Sequence, residues 1–91
     1  MNKGELVDKI AAKSGVSKKD ADLVFSAVID VIMETVSEGD KVTLVGFGSF
    51  ERRDRKERLG RNPKTGEEMT IPATQVPAFS AGKQFKQMTT A

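Results

Sequence analysis

The chain has 91 residues, enough for one domain, and contains no cysteine, histidine or tyrosine. This composition excludes disulfide bridges, and it argues against a structural zinc site and against the commonest catalytic nucleophiles and general bases. The net charge is only +2, but residues 1–40 hold five Lys against eight Asp or Glu, whereas residues 52–64 hold seven basic side chains against two acidic ones. We therefore expect no enzyme, no metal and no cofactor, and a basic segment that is either a solvated face or a polyanion-binding element.

The opening stretch "MNKGELVDKI" lacks an apolar signal region, and no apolar run approaches the roughly 20 residues that span a bilayer. The sequence predicts a cytoplasmic protein without a membrane partner. Because so small a chain buries little of its surface, its stability needs support, and oligomerisation is the remaining source.

Two helices are predicted at the start of the chain. The first runs through "NKGELVDKIAAKSG", with Asn2 as its N-cap and Ser14-Gly15 as its end. The second begins after Ser17, which forms a capping-box pattern with Asp20, and ends at Gly39. Its apolar residues occupy two faces, and a surface helix needs only one. We infer that a partner subunit covers the second face.

The second half predicts antiparallel strands. "KVTLV" alternates apolar and polar residues, and Gly46 and Gly48 indicate a tight turn or bulge before the next strand. Residues 52–60 and 67–76 predict a hairpin with its tip at Gly60–Gly66. Because residues 51–68 contain only Leu59 as a large apolar residue, we expect this hairpin to project as an arm. "SAGKQFKQM" predicts a short last helix, capped by Ser80, with Phe85 and Met88 facing inward.

The arm is the strongest candidate site. Side chains alternate along a strand, so Arg53 and Arg55 are expected on one face, with Arg52, Lys56 and Arg58 on the other unless a bulge intervenes. Arginines lining a curved ribbon suit the minor groove of DNA, whose negative potential attracts guanidinium groups. A proline at the tip could insert between base pairs or merely set the turn, and the residues alone leave both interpretations open.

Other nucleotide-binding patterns fit less well. "GFG" lacks the third glycine and the following helix of a phosphate-binding loop. The same stretch lacks the basic and aromatic positions of an RNA-recognition strand, and the chain opens with helices instead of a strand. A DNA-binding helix-turn-helix motif would need polar side chains on its second helix to contact base edges, and the second helix predicted here is too apolar.

"GFGSFERRDRKERLGRNPKT", together with "MNKGELVDKIA" and "IPATQVPAFSAGK", resembles the bacterial HU/IHF family of histone-like, nucleoid-associated DNA-bending proteins over the whole chain. The short ending is closer to the HU pattern than to an IHF subunit. The resemblance implies an α+β fold and an intertwined homodimer. Each chain would have an N-terminal helical hairpin (residues 1–40), then a three-stranded antiparallel sheet, a β-ribbon arm at about 52–76 and a C-terminal helix within residues 41–91.

The resemblance also implies a site for double-stranded DNA, bound through the minor groove without sequence specificity. Pro63 would be the intercalating residue. The predicted DNA-binding residues are Lys3, Arg53, Arg55, Arg58, Arg61, Asn62, Pro63, Lys64, Lys83 and Lys86, and the predicted dimer core is Phe25, Val28, Ile29, Ile32, Leu44, Phe47, Phe50 and Phe79. Free N–H groups at the Ser80–Lys83 helix start would also meet a phosphate.

Two departures weaken parts of this expectation. Gln75 stands where many members carry a basic residue, and the ending "MTTA" adds no charge. Two alternatives also stay open: sequence-specific bending of the IHF kind, and a protein-interaction module that grips an acidic protein with the arm. RNA binding is left undecided.

Overall fold

The structure is a computed structural model that describes residues 1–90. The elements in chain order are α1 (Lys3–Ser14), α2 (Lys18–Ser37), β1 (Val42–Leu44), β2 (Gly48–Arg55), β3 (Arg58–Arg61), β4 (Glu68–Ile71), β5 (Thr74–Ala81) and α3 (Lys83–Thr89). The chain divides into two compact units, Met1–Glu34 and the remainder from Thr35, so the division falls within α2. Among residues 1–90, no helix combines the length and apolar character needed to cross a bilayer.

The first unit is a helical hairpin, and both predicted N-caps are confirmed. The Asn2 side chain accepts a hydrogen bond from the Glu5 N–H at 2.9 Å, and the Ser17 hydroxyl accepts one from the Asp20 N–H at 3.2 Å. Gly15 ends α1 in the left-handed conformation at φ 78°, which a residue with a Cβ adopts only with strain. The predicted boundaries follow because caps are local interactions.

Polar contacts join the two helices of this unit. Lys18 Nζ lies 2.8 Å from the Asp8 carboxylate, and Lys3 Nζ donates to the Ser26 hydroxyl at 2.8 Å. The hydrogen bond that Lys18 donates to Asp8 raises the pKa of the Lys18 ammonium, and the negative charge of Asp8 raises it further. Val7 of α1 and Ala21 of α2 are buried and form the apolar centre of the unit.

The second unit contains a three-stranded antiparallel sheet in the order β1-β2-β5. Phe50 of β2 pairs with Phe79 of β5, and their ring centroids are 4.8 Å apart. Phe47, in the turn between β1 and β2, lies 5.3 Å from Phe79 and stacks on Phe85 of α3 at 5.6 Å. These four rings form one cluster on one face of the sheet, and the tight turn predicted at Gly46 and Gly48 is confirmed.

Gly48 is required by this cluster. A Cβ on Gly48 would collide with the Ser80 carbonyl oxygen and lie 2.7 Å from the Phe79 ring, closer than a Cβ atom approaches other atoms in folded proteins. Two backbone hydrogen bonds join the start of α3 to the turn between β1 and β2. The Gly82 N–H donates to the Phe47 carbonyl at 2.8 Å, and the Phe85 N–H donates to the Gly46 carbonyl at 3.2 Å.

The start of α3 differs from the prediction. Strand β5 continues through Ala81, because its residues pair with β2 as far as Gly48↔Ala81, and the N-cap is Gly82 without a side-chain hydrogen bond. Ser80 is therefore a strand residue and not the cap. Met88 is largely exposed, so the expectation that it faces inward is wrong, whereas Phe85 does join the ring cluster.

The arm is a separate two-stranded sheet of β3 and β4, paired from Arg58↔Ile71 to Arg61↔Glu68. The hairpin predicted for 52–60 and 67–76 is therefore interrupted. Pairing stops at Lys56 and Glu57 on one strand and at Pro72 and Ala73 on the other. Pro72 explains part of the gap, because proline has no N–H to donate to a ladder.

Several large apolar side chains are exposed within each unit. Leu23 and Val24 on α2 are 71% and 63% exposed, and Phe47 and Phe79 in the ring cluster are 46% and 41% exposed. Among the predicted dimer-core residues, Val28 and Leu44 are also exposed, while Phe25, Ile29, Ile32 and Phe50 are half-buried. Exposure of many large apolar side chains within each unit is typical of a protein interface.

Candidate nucleic-acid interface

The two faces of β2 carry different chemistry. Residues directly opposite in an antiparallel pair share a face, so Phe50 and Arg52 lie on the side of the ring cluster. Glu51, Arg53 and Arg55 lie on the other side, with Ala78, Val76 and Thr74 as their partners on β5. The prediction that Arg53 and Arg55 share a face is confirmed for this strand.

The Arg53 side chain is hydrogen-bonded to residues of β2 and β5. Its Nε donates to Glu51 Oε1 at 3.1 Å, its Nη2 lies 3.0 Å from the same oxygen, and Nη2 also donates to the Ser80 hydroxyl at 3.0 Å. Sequence reasoning placed Arg53 on the arm as a DNA contact and missed these partners. The i, i+2 spacing of Glu51 and Arg53 was the available signal, since such residues are neighbours on one face of a strand.

Arg52 has a different role from its neighbours. Its Nη1 donates to the Ser37 carbonyl at 3.2 Å, at the end of α2, and its guanidinium lies over Gly39. Helix α2 has no basic residue in its last turn, and Arg52 supplies a positive charge to the negative end of the helix dipole. This contact links the end of α2 to β2, and nothing in the local sequence pattern indicates it.

The arginines further out are free of such partners. Within residues 1–90, Arg55, Arg58 and Arg61 make no side-chain hydrogen bond or ion pair, and all three are exposed. The interruption at Lys56 and Glu57 lies between the first two of them, so the predicted alternation of faces does not carry from β2 into β3. These guanidinium groups are available to an external anion.

The tip of the arm is closed by backbone hydrogen bonds. The Asn62 N–H donates to the Glu67 carbonyl, and the Gly66 N–H donates to the Asn62 carbonyl, both at 2.8 Å. The Asn62 side-chain oxygen accepts from the Lys64 N–H at 2.9 Å. Gly66 has a φ of 72°, which explains a glycine there. Pro63 and Lys64 are exposed at the end of this turn.

Asn62 therefore shapes the turn with its carbonyl groups, which sequence reasoning did not anticipate. Its side-chain NH₂ group makes no hydrogen bond within residues 1–90 and remains a donor for a base edge. The contact of Asn62 with a DNA groove stays a prediction.

The predicted lysines outside the arm fall in two places. Lys3 lies on α1, where it contacts Ser26 and, at 3.8 Å, Asp22. Lys83 and Lys86 lie on α3, exposed, along an open depression that Gln87 and Thr90 also line. With strand β5 extending to Ala81, α3 begins at Lys83, and the phosphate contact predicted at the Ser80–Lys83 helix start stays a prediction.

In residues 1–90, no three acidic, cysteine or histidine side chains group closely enough to hold a metal ion. The described residues instead contain an exposed two-stranded ribbon, unpaired guanidinium groups and an exposed proline at a hydrogen-bonded turn. They are typical of a protein that binds the backbone of a polyanion.

The chain matches the family model described as bacterial DNA-binding protein over residues 1–90, and it belongs to that family. The DNA-binding protein HU of Nostoc sp. is 68% identical over 87 residues, which cover 96% of this chain and 93% of the relative. The DNA-binding protein HU of Geobacillus stearothermophilus is 58% identical over 86 residues, covering 94% of this chain and 96% of the relative.

Solved structures agree with these relatives. A cocrystal structure of Anabaena HU with DNA matches with a TM-score of 0.92 and 67% identity, covering 97% of this chain and 96% of that chain. HU from Thermotoga maritima matches with a TM-score of 0.70 and 33% identity, and the match covers 99% of this chain and 100% of that chain. The family resemblance and the α+β fold predicted from the sequence motifs are confirmed.

Proposed function

We propose that this chain is a non-catalytic architectural protein that binds and bends double-stranded DNA through its arm, with little sequence specificity. The observation that carries the proposal is the exposed arm itself, with free guanidinium groups and Pro63 at its end. Support comes from the family to which the chain belongs and from its likeness to an HU protein solved with DNA.

Affinity comes mainly from charge. Each Lys or Arg that neutralises a DNA phosphate releases condensed counterions, which makes binding strongly dependent on salt. Arg55, Arg58, Arg61 and Lys64 are exposed along the arm and are the first candidates, and Lys3, Lys83 and Lys86 extend the contacts beyond it. Sequence preference is weak because the minor groove presents nearly the same acceptors for A·T and T·A pairs.

Pro63 bends the duplex by entering between base pairs. Its ring is apolar, exposed and held by a turn whose hydrogen bonds are made by its neighbours. Unstacking a base step costs a few kcal/mol, and the additional contacts of the bent DNA offset that cost. DNA that is already nicked, gapped or bent requires less deformation and therefore binds more tightly.

The active form is a homodimer with two arms. A partner would cover the apolar side chains that one chain leaves exposed on α2 and at the ring cluster. The predicted dimer core takes residues from α2, from β1 and from the ring cluster: Phe25, Val28, Ile29, Ile32, Leu44, Phe47, Phe50 and Phe79. The protein would act on the nucleoid in the bacterial cytoplasm as one DNA-binding domain spanning residues 1–91.

The test is the affinity of the protein for linear and nicked duplexes of one sequence, each at about 50 and 200 mM salt. We expect tighter binding to nicked DNA. With Arg55, Arg58 and Arg61 from two arms, we also expect a loss of affinity on the order of 10³ between the two salt concentrations.

Other results would redirect the proposal. An absence of duplex binding at low salt would support the protein-interaction module. Binding that resists competition by random-sequence duplex would support sequence-specific bending, and tighter binding to RNA duplex than to DNA would change the partner.

A further inference from the structure

The Arg53 side chain folds back along β2. In the register of β2 and β5, Ser80 lies opposite Ser49, four residues before Arg53, and Glu51 lies two residues before it. The guanidinium reaches both Glu51 and Ser80, so it points toward the start of the strand and away from the arm. Two N–H groups converge on a single Glu51 oxygen, at 3.1 and 3.0 Å.

Arg53 is distinct from the other arginines proposed to line the arm. Within residues 1–90, Arg55, Arg58 and Arg61 have no anionic partner, whereas the Arg53 guanidinium has one at hydrogen-bond distance. The Glu51 side chain is 32% exposed and that of Arg53 is 55% exposed. The pair is thus accessible, and a phosphate could compete with the carboxylate for the same N–H groups.

We propose that Glu51 withholds Arg53 from DNA and so limits the affinity of the arm. This inference rests on the proposed function. The Glu51 carboxylate and a DNA phosphate are alternative partners for one guanidinium, and the hydroxyl of Ser80 favours the inward position by accepting a further hydrogen bond. Glu51 therefore limits affinity, because it weakens binding to any polyanion along this face of β2.

Removal of the Glu51 charge frees Arg53 for one additional phosphate contact per protomer. An exposed ion pair of this kind corresponds to a change of up to about fivefold in an equilibrium constant. The additional contact should also steepen the dependence of log K on log salt by about 0.9 for each protomer that binds duplex DNA.

The experiment compares the wild type with E51Q, R53Q and the double variant E51Q/R53Q in duplex titrations across salt concentrations. The matched control is Asp54→Asn, which removes the same charge from the same strand. Asp54 lies on the opposite face of β2, opposite Gln75, and within residues 1–90 it has no ion pair. The salt concentration that elutes each variant from immobilised heparin gives a second measurement on a polyanion other than DNA.

We expect E51Q to bind duplex about two- to fivefold more tightly than both the wild type and Asp54→Asn, with a steeper salt dependence. The gain should vanish in the Arg53→Gln background, and E51Q should elute from heparin at higher salt than Asp54→Asn. Equal effects of E51Q and Asp54→Asn, or a gain that persists without Arg53, would overturn the inference while leaving the proposed function intact. If the wild type bound no duplex, the proposed function would fail, and the heparin comparison would still decide between Glu51 and Asp54.

Discussion

At the scale of single residues, Pro63 lies in a turn that is held by the hydrogen bonds of its neighbours. The hydrogen bonds of the tip come from the N–H groups of Asn62, Lys64 and Gly66, and proline has no N–H to contribute. The ring of Pro63 is exposed, so its removal leaves no cavity in the fold. Function at this position can therefore be tested without loss of the turn.

We expect Pro63→Ala to retain the fold and most of the DNA affinity but to reduce the bend angle of the bound duplex. The reason is that the phosphate contacts remain while the apolar group that unstacks a base step is lost. Fluorescence transfer between the two ends of a labelled duplex measures the bend. Lys64→Ala is the matched control, which should weaken binding and leave the bend of the bound DNA unchanged. An unaltered bend angle in Pro63→Ala would remove proline from the bending mechanism.

At the scale of elements, the end of α2 and the middle of β2 depend on each other through Arg52. Its guanidinium donates to the Ser37 carbonyl, one of the groups that a helix end leaves without an intrahelical partner. Strand β2 thus carries arginines of three kinds. Arg52 stabilises a helix end, Arg53 is paired with Glu51, and Arg55 is free.

We expect Arg52→Met to lower the free energy of unfolding by about 1 kcal/mol, because it keeps the aliphatic stem but loses the charged donor at an exposed helix end. DNA affinity should change little. Arg55→Met is the control, for which we expect nearly unchanged stability and weaker, less salt-dependent DNA binding. Chemical denaturation and duplex titration measure the two quantities. If Arg52→Met left stability intact and reduced the salt dependence, Arg52 would instead be a phosphate contact.

The arm shows what periodicity cannot reveal at this scale. The basic residues and the tip at residues 60–66 follow from the sequence, since glycines and the absence of large apolar side chains mark a projecting turn. The interruption of strand pairing at Pro72 and Ala73 does not follow from the sequence, because it depends on which residues pair across the ribbon. For the same reason, the local sequence pattern predicts Ser80 as a helix cap, although β5 extends past it.

At the scale of the whole molecule, each compact unit leaves apolar side chains in water. In residues 1–90, the buried apolar residues are Val7, Ala21 and Val36, a small set for a chain of this length. Burial of such side chains is the main source of folding free energy. We therefore expect stability to depend on a second chain that covers the exposed side chains of α2 and of the ring cluster.

We expect the melting temperature to rise with protein concentration, by about 4 °C for each tenfold increase, if two chains of this size unfold together. Val28→Asp should abolish this dependence, because it places a charge on the proposed interface. Leu59→Asp is the control, since Leu59 is exposed on the arm and is not part of the predicted dimer core. Calorimetry at several concentrations provides the measurement, and a constant melting temperature in the wild type would contradict the homodimer.

The sequence by itself determined the starts of α1 and α2 at their caps, the glycine turns, the basic arm with its exposed proline, and the family. Each of these depends on interactions between residues that are close in sequence, or on a motif that can be recognised from consecutive residues. Only the tertiary structure decided which guanidinium groups are free. Arg52, Arg53 and Arg55 are chemically identical in the chain, but strand register places the first beside the end of a helix, the second beside Glu51 and Ser80, and the third in solvent. Partner choice of this kind follows from distances across strands, which a linear pattern does not contain.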